Sequence, residues 1–274
     1  MKVQINTKNL YPCIKWIGSK LQQTKIIIPK IIERLKCKPL FIEPFVGGGS
    51  IIIELLKYCY ENEIKDYQLI CADINPIIIK MYNEIKNNPQ ELINRLEFYD
   101  DKISKDDYYR IRTEYNIEQT VEKFMYLNKK CFRGMYRVNK KGEFNTSFSY
   151  ARSPPVFVRE NIIDLSKLFN HFDVKFECVD FFDLKFEECV LYLDPPYYEN
   201  SRCFDEYCAN SFNHKLYVDR LNEIRSNNSV HLLHSNSKQF LDIYNNDKRF
   251  DEIICQDRMN SKNMKNKRIE LLFY

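Results

Sequence analysis

Val190–Tyr198 reads VLYLDPPYY. An apolar run enters an acid, two prolines and two tyrosines. Such a run, closed by a breaker pair, fits a short buried strand. The prolines cannot continue it, because they lack an N–H and fix φ. Asp194 therefore falls at the carboxyl end of a strand, where open α/β sheets form their ligand crevice. A carboxylate and the Pro195 carbonyl, held rigid by Pro196, can together accept both hydrogens of one planar amino group. Tyr197 offers a face on which a flat base can stack. These residues suit a clamp for the exocyclic amine of a nucleobase. The plain alternative is a strand ending in a turn, with Asp194 as a cap.

Upstream, two strand–turn–helix units share the same logic. LFIEPFVGGGS (40–50) leads into IIIELLKYCY, a strand, a glycine turn and a helix. Gly47, Gly48 and Gly49 are three of the six glycines in the chain. Glycines allow close backbone approach to a ligand, and a helix N-terminus favours acceptors there. A P-loop is excluded because no Gly-Lys-Ser/Thr follows, and the spacing is not GxGxxG. QLICADIN (68–75) reads as a second strand ending in Asp73, placed to accept from ribose hydroxyls. Asn75 can cap the helix that begins at Pro76, leaving Asp73 for a ligand. Before these units, PCIKWIGSK (12–20) leads into an amphipathic helix expected over 20–36, with Ser19 as its N-cap.

Pro89–Asn128 interrupts the βαβ rhythm with two or three helices. The stretch 129–159 then carries eight Lys/Arg against one acid, Glu143, with aromatics interleaved. NKKG (139–142) predicts a turn between two short strands. Basic groups meet phosphates, and aromatics wedge beside or stack on bases. The rhythm resumes at about Glu160. Strands are expected at 174–179, ending at Asp180-Phe181, at the DPPY strand and at 230–236. A helix is expected at 214–227, and a closing antiparallel pair at 250–256 and 269–274. Residues 201–212 read as a loop able to cover the site. Residues 258–268 read as a second basic loop.

The 274 residues are 44% hydrophobic and 29% charged, enough for one large core with an insertion. The net charge of +4 says less than its distribution. No apolar run is long enough to span a bilayer, and the N-terminus has no signal core. The ten cysteines are scattered with no CxxC, which predicts reduced thiols in a cytosolic setting. His231 and His234 would point to opposite faces of a strand, so no metal site is expected.

Taken in order, KWIGSK (15–20), FIEPFVGGGS (41–50), ADIN (72–75), a helical and basic hairpin insert and DPPY (194–197) resemble the Dam-type DNA adenine methyltransferases. YLNKKCFRGMYRVNKKGEFNTSF (126–148) and RIELLFY (268–274) extend the resemblance over nearly the whole chain. It implies an α/β, Rossmann-like methyltransferase sheet with helices on both faces, and a helical and β-hairpin target-recognition insert. The catalytic domain would comprise 1–88 and 160–274, and the insert 89–159. The reaction implied is methyl transfer from S-adenosylmethionine to adenine in double-stranded DNA, leaving S-adenosylhomocysteine, with no metal. By motif, Trp16, Lys20, Glu43, Gly47, Gly49, Asp73, Asp180, Phe181 and Asp194 would serve the cofactor. Asp194, Pro195, Pro196 and Tyr197 would hold the target base. Lys15, Phe132, Arg133, Met135, Arg137 and Asn139 would meet DNA, with Arg137 reading a base and Phe132 wedging into the stack.

The departures lie in the hairpin. GATC-specific members carry an Arg-Tyr pair where this chain has Tyr150-Ala151, a proline where it has Ser147, and a smaller polar residue at Arg133. GATC is therefore one option for the recognised sequence. With no targeting signal read in the sequence, a cytoplasmic bacterial, phage or viral setting is expected, with a monomer or weak dimer and no obligate protein partner. Competing readings are methylation of RNA adenine or a protein amide, and a catalytically silent DNA-binding protein of the same fold.

Overall fold

The computed structural model describes residues 4–150, 155–198, 212–244, 249–256 and 267–274. Its centre is a seven-stranded sheet in the order β3-β2-β1-β4-β5-β7-β6. The strands are β1 (Leu40–Glu43), β2 (Gln68–Asp73), β3 (Lys175–Cys178), β4 (Cys189–Leu193), β5 (His231–Ser237), β6 (Phe250–Gln256) and β7 (Lys267–Phe273). The first five run parallel, with Ile42 opposite both Ile70 and Leu191. β7 is antiparallel to both β5 and β6, and lies between them. The closing pair read from sequence is thus present, and β7 rather than β6 pairs with β5, leaving β6 at the sheet edge.

Side chains alternate across a strand. Phe41, Leu69, Cys71, Val190 and Tyr192 enter one core, which also takes residues of α1 (Thr24–Leu35), α2 (Ser50–Glu61) and α3 (Pro76–Asn87). Ile42, Leu191 and Leu193 enter a second, aromatic-rich core under α8 (His214–Ser226). Glu43, Asp73 and Asp194 carry the parity of the first set. Three parallel strands thus end in an acid on the same side.

Between α3 and α7 (Arg159–His171) lie α4 (Pro89–Glu97), α5 (Lys105–Ile117) and α6 (Val121–Lys130), followed by the basic hairpin. The hairpin does not form two continuous strands. It closes through two isolated antiparallel bridges, Cys131 with Phe148 and Val138 with Phe144. One face of α5 takes over the missing pairing. Tyr108 Oη and Arg112 donate to the Thr146 carbonyl, and Asn116 exchanges two hydrogen bonds with the Phe144 backbone. Backbone groups satisfied by side chains need no ladder.

The first helix also starts later than its periodicity predicts. It begins at Thr24, and Ser19 is not its cap; the N-cap position is Gln23, without a side-chain cap. Lys20–Gln23 instead form a turn, with Gln23 N donating to Lys20 O. The Lys20 amide goes to Ser50 Oγ, which turns this lysine toward the sheet.

Candidate active site

Each acid is set by its own local structure. Asn75 caps α3 by accepting from Ile77 N, as its sequence position predicts. Asp73 is fixed by two amides: Oδ1 accepts from Asn75 N at 2.9 Å and Oδ2 from Gly47 N at 3.0 Å. Burial pushes its carboxyl up to about 6, while the two amides oppose the shift. This ties the end of β2 to the glycine turn after β1.

Within that turn Gly47 and Gly49 have φ of +44° and +76°, the left-handed region. The glycines also make room for protein. A Cβ on Gly47 would lie 2.7 Å from the Trp16 ring, and one on Gly49 would lie 2.4 Å from Tyr82 Oη. Tyr82 Oη donates to the Gly47 carbonyl at 2.9 Å. Trp16 covers the turn from one side and meets the Tyr136 ring at 5.6 Å on the other. It therefore bridges the glycine turn and the hairpin.

Lys20 is no solvated helix start. It is 2% exposed, and its ammonium lies 2.8 Å from Asp194 Oδ2. It also donates to the Gly18 carbonyl at 2.7 Å, and sits 4.8 Å from the centre of the Tyr197 ring. Asp194 is 17% exposed, and its Oδ1 is buried with no hydrogen-bond partner among the described residues. Burial raises its carboxyl to about 6, against the pull of Lys20. Glu43, 2% exposed, has one oxygen in the same condition. Burial, then the neighbouring Asp194 charge, push it well above the usual carboxylate range. The crevice thus holds one ammonium and several closely set carboxyls, two of them with a buried oxygen still able to accept.

The residues after Asp194 are pinned by strands further along the sheet. Tyr198 N donates to Asn236 Oδ1 at 3.2 Å, and Ser237 Oγ donates to the Tyr198 carbonyl. Tyr197 Oη donates to Glu270 Oε2 at 2.7 Å, and so does Gln23 Nε2. None of Asn236, Ser237, Glu270 and Gln23 is singled out by motif. The available signal for Glu270 is an acid inside the apolar run RIELLFY.

Phe181 lies apart from these groups. Its ring is buried against Phe45, Phe186 and Tyr217 in the second core, and Asp180 caps the short turn that follows by accepting from Phe182 N. Buried Cys13 and Cys131 have thiols raised to about 11 and about 12, so neither is a thiolate nucleophile. His234 is fully buried and stacked on Phe273, whereas His231 is only partly covered. Among the described residues, no group of three or more His, Cys, Asp or Glu is arranged to hold a metal ion.

The hairpin meets the N-terminal segment beside this crevice. Asn128 clamps Lys15, accepting from its amide and donating to its carbonyl at 2.8 Å each, and also donates to Gly134 O. Gly134 is in van der Waals contact range of the Lys15 side chain, where any Cβ would clash. Lys15, Phe132, Arg133 and Arg137 are exposed, and Arg133 lies over the Phe132 ring at 5.1 Å. Met135 is half-buried. Asn139 is drawn into the turn: its Oδ1 accepts from Lys141 N and Glu143 N, and its Nδ2 donates to Glu143 Oε2. Ala151, most of the 201–212 loop and most of the 258–268 loop lie outside the described residues.

A parallel sheet extended by an antiparallel strand between β5 and β6, with DPPY at the end of β4, is the architecture of a Rossmann-like methyltransferase. The profile of the D12 class N6 adenine-specific DNA methyltransferases matches residues 16–266, and the chain belongs to that family. It is 35% identical over 225 residues to the type II methyltransferase M.MjaIII of Methanocaldococcus jannaschii, covering 74% of this chain and 75% of that protein. It is 30% identical over 254 residues to the DNA adenine methylase of Haemophilus influenzae, covering 85% and 82%. A Lactococcus lactis type II methyltransferase, M1.LlaDCHI, is 30% identical over 233 residues, covering 78% and 75%. The protein is an adenine-specific DNA methyltransferase, and its family draws the methyl group from S-adenosylmethionine. No helix among the described residues is long and apolar enough to cross a membrane.

Proposed function

We propose that the enzyme flips an adenine out of duplex DNA and presents its exocyclic amine to S-adenosylmethionine through Asp194, Pro195, Pro196 and Tyr197. The observation that carries this reading is the state of Asp194. One oxygen is held by Lys20, while the other is buried and has no hydrogen-bond partner among the described residues. A buried acceptor left open is costly unless a ligand donates to it. An amine placed there gives one hydrogen to Oδ1 and the other to the Pro195 carbonyl. The nitrogen lone pair is then directed away from the ring plane. S-adenosylmethionine supplies an activated methyl group on a good leaving group, so positioning carries much of the catalysis. The product is S-adenosylhomocysteine. The proton released from the amine has Asp194 beside it, whose raised basicity suits the task near neutrality.

The crevice residues fit that cofactor. Asp73, fixed by two amides, faces the ribose hydroxyls with its remaining lone pairs. Gly47 and Gly49 bring bare backbone to the N-terminus of α2, with Trp16 over them. Glu43 offers its open oxygen to the amino acid end, and Lys20 balances the acids. Asp180 is assigned to the adenine end. Phe181 acts there by supporting Phe45 and the chain turn from within the core. No metal is assigned a role.

The insert, 89–159, is assigned to target recognition, with 1–88 and 160–274 as the catalytic domain. Flipping costs a few kcal/mol, and Phe132 fills the vacated stack. Arg137 reads a base edge, and Lys15 and Arg133 lie beside it. Met135 packs at the DNA-facing edge, and Asn139 shapes the turn that presents these groups. The recognised sequence is proposed to be GATC or a close variant, since Lys15 and Arg137 are present while Ser147 and Tyr150-Ala151 depart. A monomer or weak dimer acting in the cytoplasm needs no further chain for this chemistry. The test is transfer from labelled S-adenosylmethionine to unmethylated DNA, with mapping of modified adenines. Methylation within GATC or a one-base variant is expected. Methylation of an unrelated motif would reject the specificity, and cofactor binding without transfer to any duplex would reject the clamp.

A further inference from the structure

The Tyr197 ring and the Lys20 ammonium are both held by a group to which the sequence analysis assigns no role. Glu270 sits in β7, opposite Ser237 of β5 and Ile253 of β6. It is 8% exposed. Its neighbours in the strand, Leu271, Leu272 and Phe273, are buried and apolar. The strand itself asks for no acid there, and burying a charge is unfavourable unless it is paired. One oxygen, Oε2, accepts from Tyr197 Oη and from Gln23 Nε2 at 2.7 Å each, and lies 3.8 Å from Lys20 Nζ. The same ammonium holds Asp194 Oδ2.

This arrangement links both halves of the clamp. Tyr197 is tethered through its hydroxyl, and a ring released from that tether would change the face offered to a base. Lys20 is shared between Asp194 and Glu270. Without Glu270 it has one carboxylate fewer to share and is free to follow Asp194 alone. Gln23 completes the frame from the start of α1, its Nε2 also approaching Cys255 Sγ of β6 at 3.1 Å. The turn is thus braced from two strands at once, with Asn236 and Ser237 of β5 holding the Tyr198 backbone.

We propose that Glu270 is a positioning residue for the target adenine: as an acceptor for Tyr197 Oη and Lys20 Nζ, it sets the stacking ring and the open oxygen of Asp194 in one orientation. The inference rests on the reading of Asp194 and Tyr197 as the target-base clamp. It separates from a purely structural role, because a structural loss would weaken cofactor binding and stability along with turnover. A positioning loss lowers turnover and leaves both intact.

The test uses the full chain with Glu270→Leu, Glu270→Gln and Tyr197→Phe, on a duplex carrying the site mapped for the wild type. Four quantities are read: kcat, KM for DNA, S-adenosylhomocysteine affinity by calorimetry, and emission of 2-aminopurine placed at the target position. Glu270→Leu is expected to lower kcat roughly tenfold or more, as misplaced reactants do, with KM and S-adenosylhomocysteine affinity within about threefold. Its 2-aminopurine emission should differ from that of the wild type, since the flipped base loses its fixed stacking partner. Tyr197→Phe should reproduce that change, because it removes the hydroxyl that Glu270 holds and that also acts on Asp194. Glu270→Gln keeps an acceptor oxygen and should restore most of kcat.

Three results would overturn the proposal. One is a folded Glu270→Leu enzyme with normal kcat. Another is parallel loss of S-adenosylhomocysteine affinity and kcat. The third is a glutamine variant no better than leucine. Should Glu270→Leu not fold, Tyr197→Phe and Glu270→Gln decide: normal turnover and emission in Tyr197→Phe also reject it. A wild type that binds S-adenosylhomocysteine yet methylates no duplex removes the clamp itself, an outcome distinct from silent Glu270 variants on an active wild type.

Discussion

The crevice and the hairpin solve opposite problems. In the crevice, charged groups are buried and already paired: Lys20 with Asp194, Asp73 with two amides, Tyr197 with Glu270. In the hairpin, Phe132, Arg133 and Arg137 are exposed, and Phe132 shows 44% of its surface. Their backbone pairs across the hairpin with residues 145–148, and the facing stretch 144–146 is held in turn by side chains of α5. A methyl-transfer site must exist before its small ligands arrive, because preorganised groups need not be rearranged during reaction. A DNA-reading surface must stay open to a partner whose phosphates and bases supply the missing contacts. Chemistry is therefore expected to fail sharply when the crevice is altered, and specificity to shift when the hairpin is.

The largest contrast is between Asp194→Ala and Arg137→Ala. Removing Asp194 takes away the acceptor of the target amine, and transfer should fall roughly a thousandfold, the scale seen when a transition-state partner is lost. Arg137→Ala should cost about 1–3 kcal/mol in DNA discrimination, with methylation spreading to near-cognate sites. Single-turnover rates and adenine mapping measure both. Equal and uniform losses in the two variants would erase the distinction between the regions.

Stability provides the next test. Lys20 lies between Asp194 and Glu270 at 2.8 and 3.8 Å. Lys20→Met would leave those acids buried without their cation, at about 3–5 kcal/mol. Urea denaturation should show this as a lower midpoint at unchanged slope. Arg133→Ala, on the exposed hairpin, should move the midpoint little.

Much of this was legible beforehand, and the rest shows where sequence runs out. Asp73, Asn75 and Asp194 sit where strand ends and breakers place them, because those signals are local. Glu270 and Gln23 are 247 positions apart and meet only through the placement of β7 beside β5. No local pattern states that placement. NKKG and the alternation around it mark the hairpin, but its pairing to α5 depends on Tyr108, Arg112 and Asn116, which read as ordinary helix residues. Ser19 looked like a cap because Ser before an apolar period often is one. The demand of Lys20 for Asp194 displaced the helix start.

Acidity should separate the regions more gently. Asp194 and Asp73 are both raised to about 6, chiefly by burial. Above that pH they are carboxylates able to accept from amine and ribose. Below it each gains a proton, and kcat/KM should fall about tenfold per pH unit, more steeply if both titrate together. The stability effect has the opposite sign. A carboxyl raised on folding contributes stability that is complete below its unfolded value, near 3.9, and is lost as pH rises through about 6. The unliganded protein should therefore lose part of its stability over the same interval in which activity appears. DNA binding by the hairpin, whose exposed groups lie outside the buried acid cluster, should show no matching step when cofactor is absent. A parallel step in binding would mean that the two regions titrate as one.

A small effect is also expected at Gly142. This glycine has φ of +79° in the hairpin turn, and a Cβ there would meet nothing within 4 Å. Gly142→Ala should cost only the left-handed penalty, about 1 kcal/mol. Gly49 has a similar φ of +76°, but its Cβ would fall 2.4 Å from the buried Tyr82 hydroxyl, itself bonded to Gly47 O. Gly49→Ala therefore adds a clash of about 1–3 kcal/mol to the same backbone strain. The Tyr82→Phe background removes the hydroxyl and should recover a good part of that excess in Gly49→Ala. It should do nothing for Gly142→Ala. Thermal melts of the two alanine variants in both backgrounds measure the difference. An excess at Gly49 that survives loss of the hydroxyl would locate the strain in the glycine turn itself, and not in its packing against α3.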